Sequence, residues 1–386
     1  MNIARDSVDM GSAKVVNVVR NALRHQVGAA LRSHPTVRDA TAKVETWMLR
    51  QHHSVGRIAP AVIRPSPHLI MLALTSYCNL RCQGCKYGRD FMAGSQLSWE
   101  HTRGVLDDAK EAGIYKVRLY GGEPLLHPDL PRIVAYCKEI GLAPAVTTNA
   151  IALSSRIDEL YAAGLRDLSV GFYGVGAAYD AYTQRPGRFR RMEASIADVR
   201  QKYGDTVRIQ INWLLRRQTC NRESLREAFE FALKYHTTLQ VDMVHYSLPY
   251  FTEGPDRELQ FRDEDREAID VVINDLLVLK EQYPEVIRHT PEGIRSMPDW
   301  LLLGSKMKVP CAAREMIWVG ADGTVQLCYV TFKLGNLHDM RLRDMLYTPA
   351  HTAASRAAFS VDCPNCHCGA GDRIMRDARS IGKYKA

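Results

Sequence analysis

Leu69-Ile70-Met71-Leu72-Ala73-Leu74-Thr75-Ser76-Tyr77-Cys78-Asn79-Leu80-Arg81-Cys82-Gln83-Gly84-Cys85 is the stretch on which the reading of this chain turns. Its first six residues are a continuous apolar run, the pattern of a buried strand. Its last eight carry three cysteines spaced C-x3-C-x2-C. Three thiolates this close can hold one face of a cubic iron–sulfur cluster, whose usual ligand set is four cysteines. One iron is then left open, and an open coordination position is where a metal centre does chemistry. Cys78, Cys82 and Cys85 follow the C-terminal end of the strand, where α/β barrels carry their active sites. A structural zinc site wants a closed set of four ligands, and no fourth Cys or His lies nearby in sequence. Ten cysteines, eight of them gathered at two places, behind a start with no apolar signal region, fit metal ligands in a reducing, cytoplasmic compartment better than disulfides.

The surrounding sequence alternates strand and helix signals. Apolar runs recur at Val117–Tyr120, Ala143–Thr148, Leu168–Phe172, Ile209 and Leu239. Helical patterns separate them: Ser98–Ala112, Pro128–Ile140, Ser154–Ala163, Met192–Tyr203 and Ser224–Tyr235, with Ser98, Ser154 and Ser224 where N-caps belong. Strand-then-helix repetition implies right-handed crossovers and a parallel sheet. Asp263–Tyr283 reads as a long helix, and Pro284–Pro310 as a proline-rich bridge. The 386 residues, 46% hydrophobic, suffice for one large domain with additions, and no apolar stretch reaches the length of a membrane span.

The cysteine loop resembles the cluster motif of radical S-adenosylmethionine (SAM) enzymes. Gly121-Gly122-Glu123-Pro124, just after the second apolar run, resembles that family's GGEP stretch, whose backbone binds the SAM amino group. Thr147-Thr148-Asn149 and Ser169-Val170-Gly171 match places where the family's strands approach the SAM ribose or methionine. Tyr182-Thr183-Gln184-Arg185-Pro186-Gly187 resembles the segment whose arginine often contacts the SAM carboxylate. The resemblance covers residues 67 to 375. It implies SAM contacts from Gly121, Gly122, Glu123, Pro124, Thr148, Asn149, Ser169 and Arg185. One departure stands out: the residue before the third cysteine is often aromatic in the family and helps hold the adenine, and here it is Gly84. Tyr87 and Phe91 are the alternative aromatic contacts. The implied fold is α/β, a partial (β/α)6 TIM-like barrel over 67–285, with a basic helical N-terminal extension over 1–66, a bridge over 286–310 and a small SPASM/twitch-like cluster domain over 311–386.

The last of these rests on a second group of cysteines. Cys311 and Cys328 flank a hairpin with Asp322-Gly323 as its turn. Leu334–Asp339, a short helical stretch with Leu342, Met345 and Leu346, and then Cys363-Pro364-Asn365-Cys366-His367-Cys368 follow. This resembles the SPASM/twitch region of many radical SAM enzymes, and five cysteines fit one auxiliary 4Fe–4S cluster. Cys311, Cys328, Cys363 and Cys366 would close its coordination, with Cys368 replacing Cys366 as the alternative. A zinc ribbon competes, since C-x2-C also suits zinc. Cys137 and Cys220 fit no ligand pattern and read as small buried hydrophobes.

Charge is uneven. The net charge is +8, and residues 1–66 hold ten Lys or Arg against four Asp or Glu. Val16, Val19, Leu23, Val27 and Leu31 form a helical apolar stripe beside Lys14, Arg20 and Arg24. Packing of that stripe on the barrel is the commoner arrangement; peripheral contact with an anionic membrane is the other. No recognised nucleic-acid-binding motif accompanies the basic residues.

The resemblance implies a 4Fe–4S cluster, SAM and an auxiliary 4Fe–4S cluster as cofactors, a flavodoxin- or ferredoxin-like electron donor, and hydrogen-atom abstraction from a substrate C–H bond. The substrate expected is a small molecule: a carbohydrate, cyclitol or lipid head group. The first 66 residues read as mainly helical, without the strand pair common in leader-binding modules of peptide maturases. A ribosomal-peptide maturase and a non-catalytic zinc module are the competing readings. Tyr173, Tyr179, Asp180, Tyr182, Asn212, Asp242, His245 and Tyr246 fall near expected strand ends and could line a pocket.

Overall fold

The computed structural model describes residues 3–30, 35–87, 91–245, 258–328 and 331–385. Six strands, β1 (Leu69–Thr75), β2 (Lys116–Gly121), β3 (Ala143–Thr148), β4 (Asp167–Phe172), β5 (Arg208–Leu215) and β6 (Thr238–Met243), pair in parallel in chain order. Their side chains alternate between two environments, as the pleat requires. Ile70, Leu72, Leu74, Val117, Leu119, Ile209, Ile211 and Trp213 belong to the main buried core. Their neighbours Met71, Ala73 and Tyr120 belong to a separate cluster on the other face of the sheet.

Two helices, α1 (Ile3–Ala30) and α2 (Pro35–Ile58), precede the sheet. The crossovers carry α3 (Trp99–Glu111), α4 (Leu130–Glu139), α5 (Leu153–Ala162), the pair α6 (Ala177–Thr183) and α7 (Arg188–Tyr203), and α8 (Arg222–Lys234), with α9 (Arg266–Gln282) after β6. Ser98 caps α3, its side chain accepting from the His101 amide. The other two serine caps are not where the sequence suggests. α5 begins at Leu153, placing Ser154 inside its first turn. α8 is capped by Asn221, whose side chain accepts from the Ser224 amide; an Asx cap one turn upstream displaces serine from the role.

The bridging segment is also helical. α10 (Pro291–Leu303) starts with a proline at its first position and is capped by Thr290, and it tolerates Pro298 within. Its buried face (Ile294, Met297, Trp300) outweighs one lost backbone hydrogen bond. Beyond it, β7 (Met316–Val319) pairs in parallel with β1, Leu69 opposite Met316. β8 (Thr324–Gln326) and β9 (Lys333–Asn336) then continue antiparallel. The C-terminal hairpin therefore extends the barrel's own sheet and covers the β1 edge. α11 (Leu342–Met345), α12 (Pro349–Phe359), α13 (Ala370–Arg376) and α14 (Ala378–Tyr384) complete the chain.

Candidate active site

Four loops meet at the C-terminal ends of the strands. The cysteine loop leaves β1 and is held by backbone bonds on both sides: Arg81 N–H donates to Thr183 (3.1 Å) and Gln83 N–H to Tyr182 (2.9 Å), at the end of α6. Gly84 adopts φ of 72°, a left-handed conformation that an aromatic residue takes only at a cost. That explains the glycine where the resemblance expects an aromatic. Tyr87 is buried instead, against Phe91, Met92 and Trp318, in a cluster that Cys85 also touches.

The Gly121-Gly122-Glu123-Pro124 turn is stapled to the base of that loop. Gly122 N–H donates to Thr75 (2.7 Å) and Glu123 N–H to Tyr77 (2.8 Å). A Cβ at Gly121 would strike the Thr75 carbonyl oxygen, and one at Gly122 the carbonyl oxygens of Ser76 and Tyr77. Glu123 is fully buried, and its carboxylate accepts from Leu125 N–H (3.0 Å), the Thr148 hydroxyl (2.6 Å) and Asn149 N–H (2.7 Å). Burial pushes this carboxyl up to about 7 against those three donors. Thr148 is thus engaged by Glu123. Asn149 turns its amide towards the cysteine loop, donating to Asn79 (2.7 Å) and lying 3.9 Å from the Cys78 sulfur. Arg185 is exposed two residues beyond the loop's anchor at Thr183, with its backbone held by Asp180. Asp180 itself caps α7, accepting from Gly187 and Phe189 amides.

Cys78 remains accessible within a concavity, and burial pushes its thiol up to about 12, with Glu123 and Cys85 adding to the effect. Thiolates in such a place need a cationic partner. Among the described residues, no three Cys, His, Asp or Glu side chains converge as ligands of a single metal ion. Three cysteine thiolates are the donor set of a cubane with one open iron, whereas structural zinc takes a closed set of four ligands.

Below this mouth the lumen is polar. Its walls carry the residues that alternate with the core positions: Arg118 on β2, Ser169 on β4, Gln210 and Asn212 on β5, Gln240 and Asp242 on β6. Gln210 donates to Asn212 (2.8 Å), which donates to Ser169 (2.8 Å). The side chains of Arg118, Gln240 and Asp242 have no hydrogen-bond partner among the described residues. Asp242 is open to solvent though ringed by protein; burial pushes its carboxyl up to about 6, opposed by the Arg118 guanidinium. Of the other expected pocket residues, Tyr173, Tyr179 and Tyr182 stack on one another behind the cysteine loop, beside Cys82. Tyr246 lies outside the described residues.

Four cysteines of the second group, Cys311, Cys363, Cys366 and Cys368, come together at the same end of the barrel. Cys311, Cys363 and Cys366 lie within electrostatic reach of one another and of Arg373. A hydrogen bond from Cys368 pulls Cys366 down to about 7. Cys368 sulfur lies 3.5 Å from His245 Nε2, and His245 stacks on His367 at 4.2 Å. His367 Nε2 meets the Met243 carbonyl at 2.9 Å, tying this loop to the end of β6. The Cys328 sulfur lies 3.7 Å from the Thr331 carbonyl. Arg373, buried over the Trp300 ring at 4.7 Å, donates to the Cys366 carbonyl; its charge suits a group of thiolates. Cys137 and Cys220 are buried, and burial pushes each thiol up to about 12.

Sequence reasoning missed Arg118, Gln240 and Arg373. The first two were legible as polar interruptions of apolar strand runs; no motif marks Arg373, which bonds both nearby Cys366 and Asn365 and distant Val309.

Residues 72–232 match the family model for the radical SAM superfamily. The chain is 32% identical over 170 residues to the AdoMet-dependent heme synthase of Methanosarcina barkeri, covering 43% of this chain and 47% of that protein. It therefore spans about half the length of that curated relative. Among solved structures it resembles anSMEcpe with bound AdoMet (TM-score 0.57, 15% identity, 75% of this chain and 83% of that one). It also resembles Streptococcus suis SuiB bound to precursor peptide SuiA (TM-score 0.56, 16% identity, 80% and 70%). At these identities the structural likeness is one of fold.

Proposed function

Because the chain carries a radical SAM superfamily domain over residues 72–232, we propose that it is a radical SAM enzyme acting on a small polar molecule held in the barrel lumen, in a redox-type biosynthetic modification. The observation that carries the substrate side of this reading is the pair of charged side chains Arg118 and Asp242, together with Gln240, facing the lumen with no side-chain hydrogen-bond partner among the described residues. Water reaches Arg118, Gln240 and Asp242, so each can exchange a water for a polar group of a bound molecule. A substrate with an acceptor group for Arg118 and donor groups for Asp242 would supply such groups.

Cys78, Cys82 and Cys85 would hold the 4Fe–4S cluster. Bound cluster and SAM together supply reductive C–S cleavage and hydrogen-atom abstraction, with the electron coming from a flavodoxin- or ferredoxin-like protein. Both amides of the Gly121–Glu123 turn are already donated to the cysteine loop. An ammonium group would therefore meet the turn's carbonyl oxygens. Glu123 and Thr148 hold the turn against β3; Asn149, Ser169 and Arg185 would reach the remaining polar groups of SAM. Cys311, Cys363 and Cys366, with Cys328 or Cys368, would hold an auxiliary 4Fe–4S cluster beside Arg373, where it can take an electron from the substrate.

The test is anaerobic reconstitution with iron and sulfide, then quantification of 5′-deoxyadenosine after adding SAM and reductant. Wild type forms it and Cys82→Ala does not. Arg118→Met and Asp242→Asn keep the slow, substrate-independent formation; a fall there would place these residues at SAM instead. Cys363→Ala lowers bound iron from about eight to about four per chain, as one cubane of two is lost. An unchanged iron content would remove the auxiliary cluster from the proposal.

A further inference from the structure

The N-terminal helices sit on the barrel with the opposite polarity to an ordinary surface helix, whose apolar stripe faces inward. On α1 it is Asn17 and Asn21 that are buried. Each side-chain amide donates to the Pro67 carbonyl at 2.9 Å, and further bonds run to Ala112, Gly113 and Tyr347. The apolar residues point away: Val16, Val19 and Leu23 are 63%, 53% and 55% exposed. α2 does the same with Val44, Trp47 and Met48, each more than half exposed. So the stripe expected to pack against the barrel is open to solvent, because buried asparagines whose NH2 groups donate to backbone carbonyls occupy the docking face; Leu31, its last member, lies outside the described residues.

An exposed apolar stripe on each of two basic helices marks an interaction surface, and charge indicates its occupant. Six of the eight net positive charges of the chain reside in residues 1–66, the segment that carries both stripes. A second copy of the chain would bring the same positive charge to the contact. Trp47 offers an apolar body with a polar N–H, the side chain favoured at the head-group level of a bilayer. No described helix is long and apolar enough to cross a membrane.

We propose that α1 and α2 form a docking surface for an anionic lipid bilayer, lying in its interface with their apolar stripes turned into it. α1 is pinned to Pro67 and Gly113, just before β1 and β2. The bilayer therefore meets the end of the barrel opposite the cysteine loop, and the active-site mouth faces the aqueous side.

The experiment is flotation of the whole chain with vesicles of phosphatidylcholine alone, or of phosphatidylcholine and phosphatidylglycerol at about 7:3. The protein floats with the anionic vesicles, at least about tenfold less with the neutral ones, and the binding weakens in high salt. Trp47→Glu with Met48→Glu abolishes flotation. Leu23→Gln, on the other helix, weakens it while leaving the unfolding temperature unchanged, which separates lost docking from lost folding. Absence of flotation with anionic vesicles overturns the proposal. So does binding indifferent to lipid charge, or a solution dimer that the Trp47/Met48 variant dissociates, which would assign the surface to a second copy.

Discussion

Glu123 holds two strand ends together with one carboxylate. Its three donors come from its own turn and from β3, and no other acceptor in that buried place serves them. Glu123→Gln puts an NH2 group where an acceptor stood, leaving buried donors opposed. The cost is about 1–3 kcal/mol, read as a lower midpoint in denaturant, and iron uptake falls because the turn carries the cysteine loop. Gly122→Ala acts by sterics instead: its Cβ displaces the carbonyls of Ser76 and Tyr77. The prediction is a protein with near-native far-UV circular dichroism whose reconstituted iron content drops well below wild type. Retention of full iron would mean that the loop absorbs the shift.

Elements are placed here by a few polar bonds as much as by apolar area. Asn17 alone joins α1 to the strand β1 approach, the end of α3 and Tyr347. Asn17→Ala leaves the buried Pro67 carbonyl to Asn21 and forfeits the rest, for about 1–2 kcal/mol. Limited proteolysis is then expected to release α1 first, with the barrel fragment intact; simultaneous loss of barrel and helix would show that α1 is part of one cooperative unit. The C-terminal region is tied in the same way. Arg341 and Arg343 both reach the buried carboxylate of Asp108 on α3, and β7 lies along β1, so the C-terminal region is fixed relative to the barrel.

The molecule as a whole is expected to be acid-labile. Burial pushes His53 and His289 down to about 4 and His351 down to about 3. His351 Nδ1 accepts from the Tyr347 amide (3.0 Å) and can do so only when that nitrogen carries no proton. These side chains protonate near 6.5 in the unfolded chain and only far lower in the folded one. Their contribution is therefore present above pH 6.5 and lost as pH falls towards 4, each by up to about 1.4 kcal/mol per pH unit. Glu123 and Asp242, pushed up to about 7 and about 6, have the opposite sign over an overlapping range, but two carboxyls do not offset three imidazoles. Denaturant midpoints measured from pH 7 to 5 should fall; a flat profile would mean these histidines titrate normally.

Much of this was readable in the chain itself. The cysteine spacing, the Gly121–Pro124 turn and the strand–helix alternation are local patterns, and a ligand spacing or a buried run survives whatever the rest of the chain does. Other features were not readable. The direction of the α1 stripe and the meeting of Arg118 with Asp242 across the lumen depend on partners tens to hundreds of residues away. Sequence order determined the chemistry that the loops can offer. Tertiary structure decided which groups are left without a partner and which face is left without a cover, because burial and pairing are properties of the packed chain and not of any segment of it.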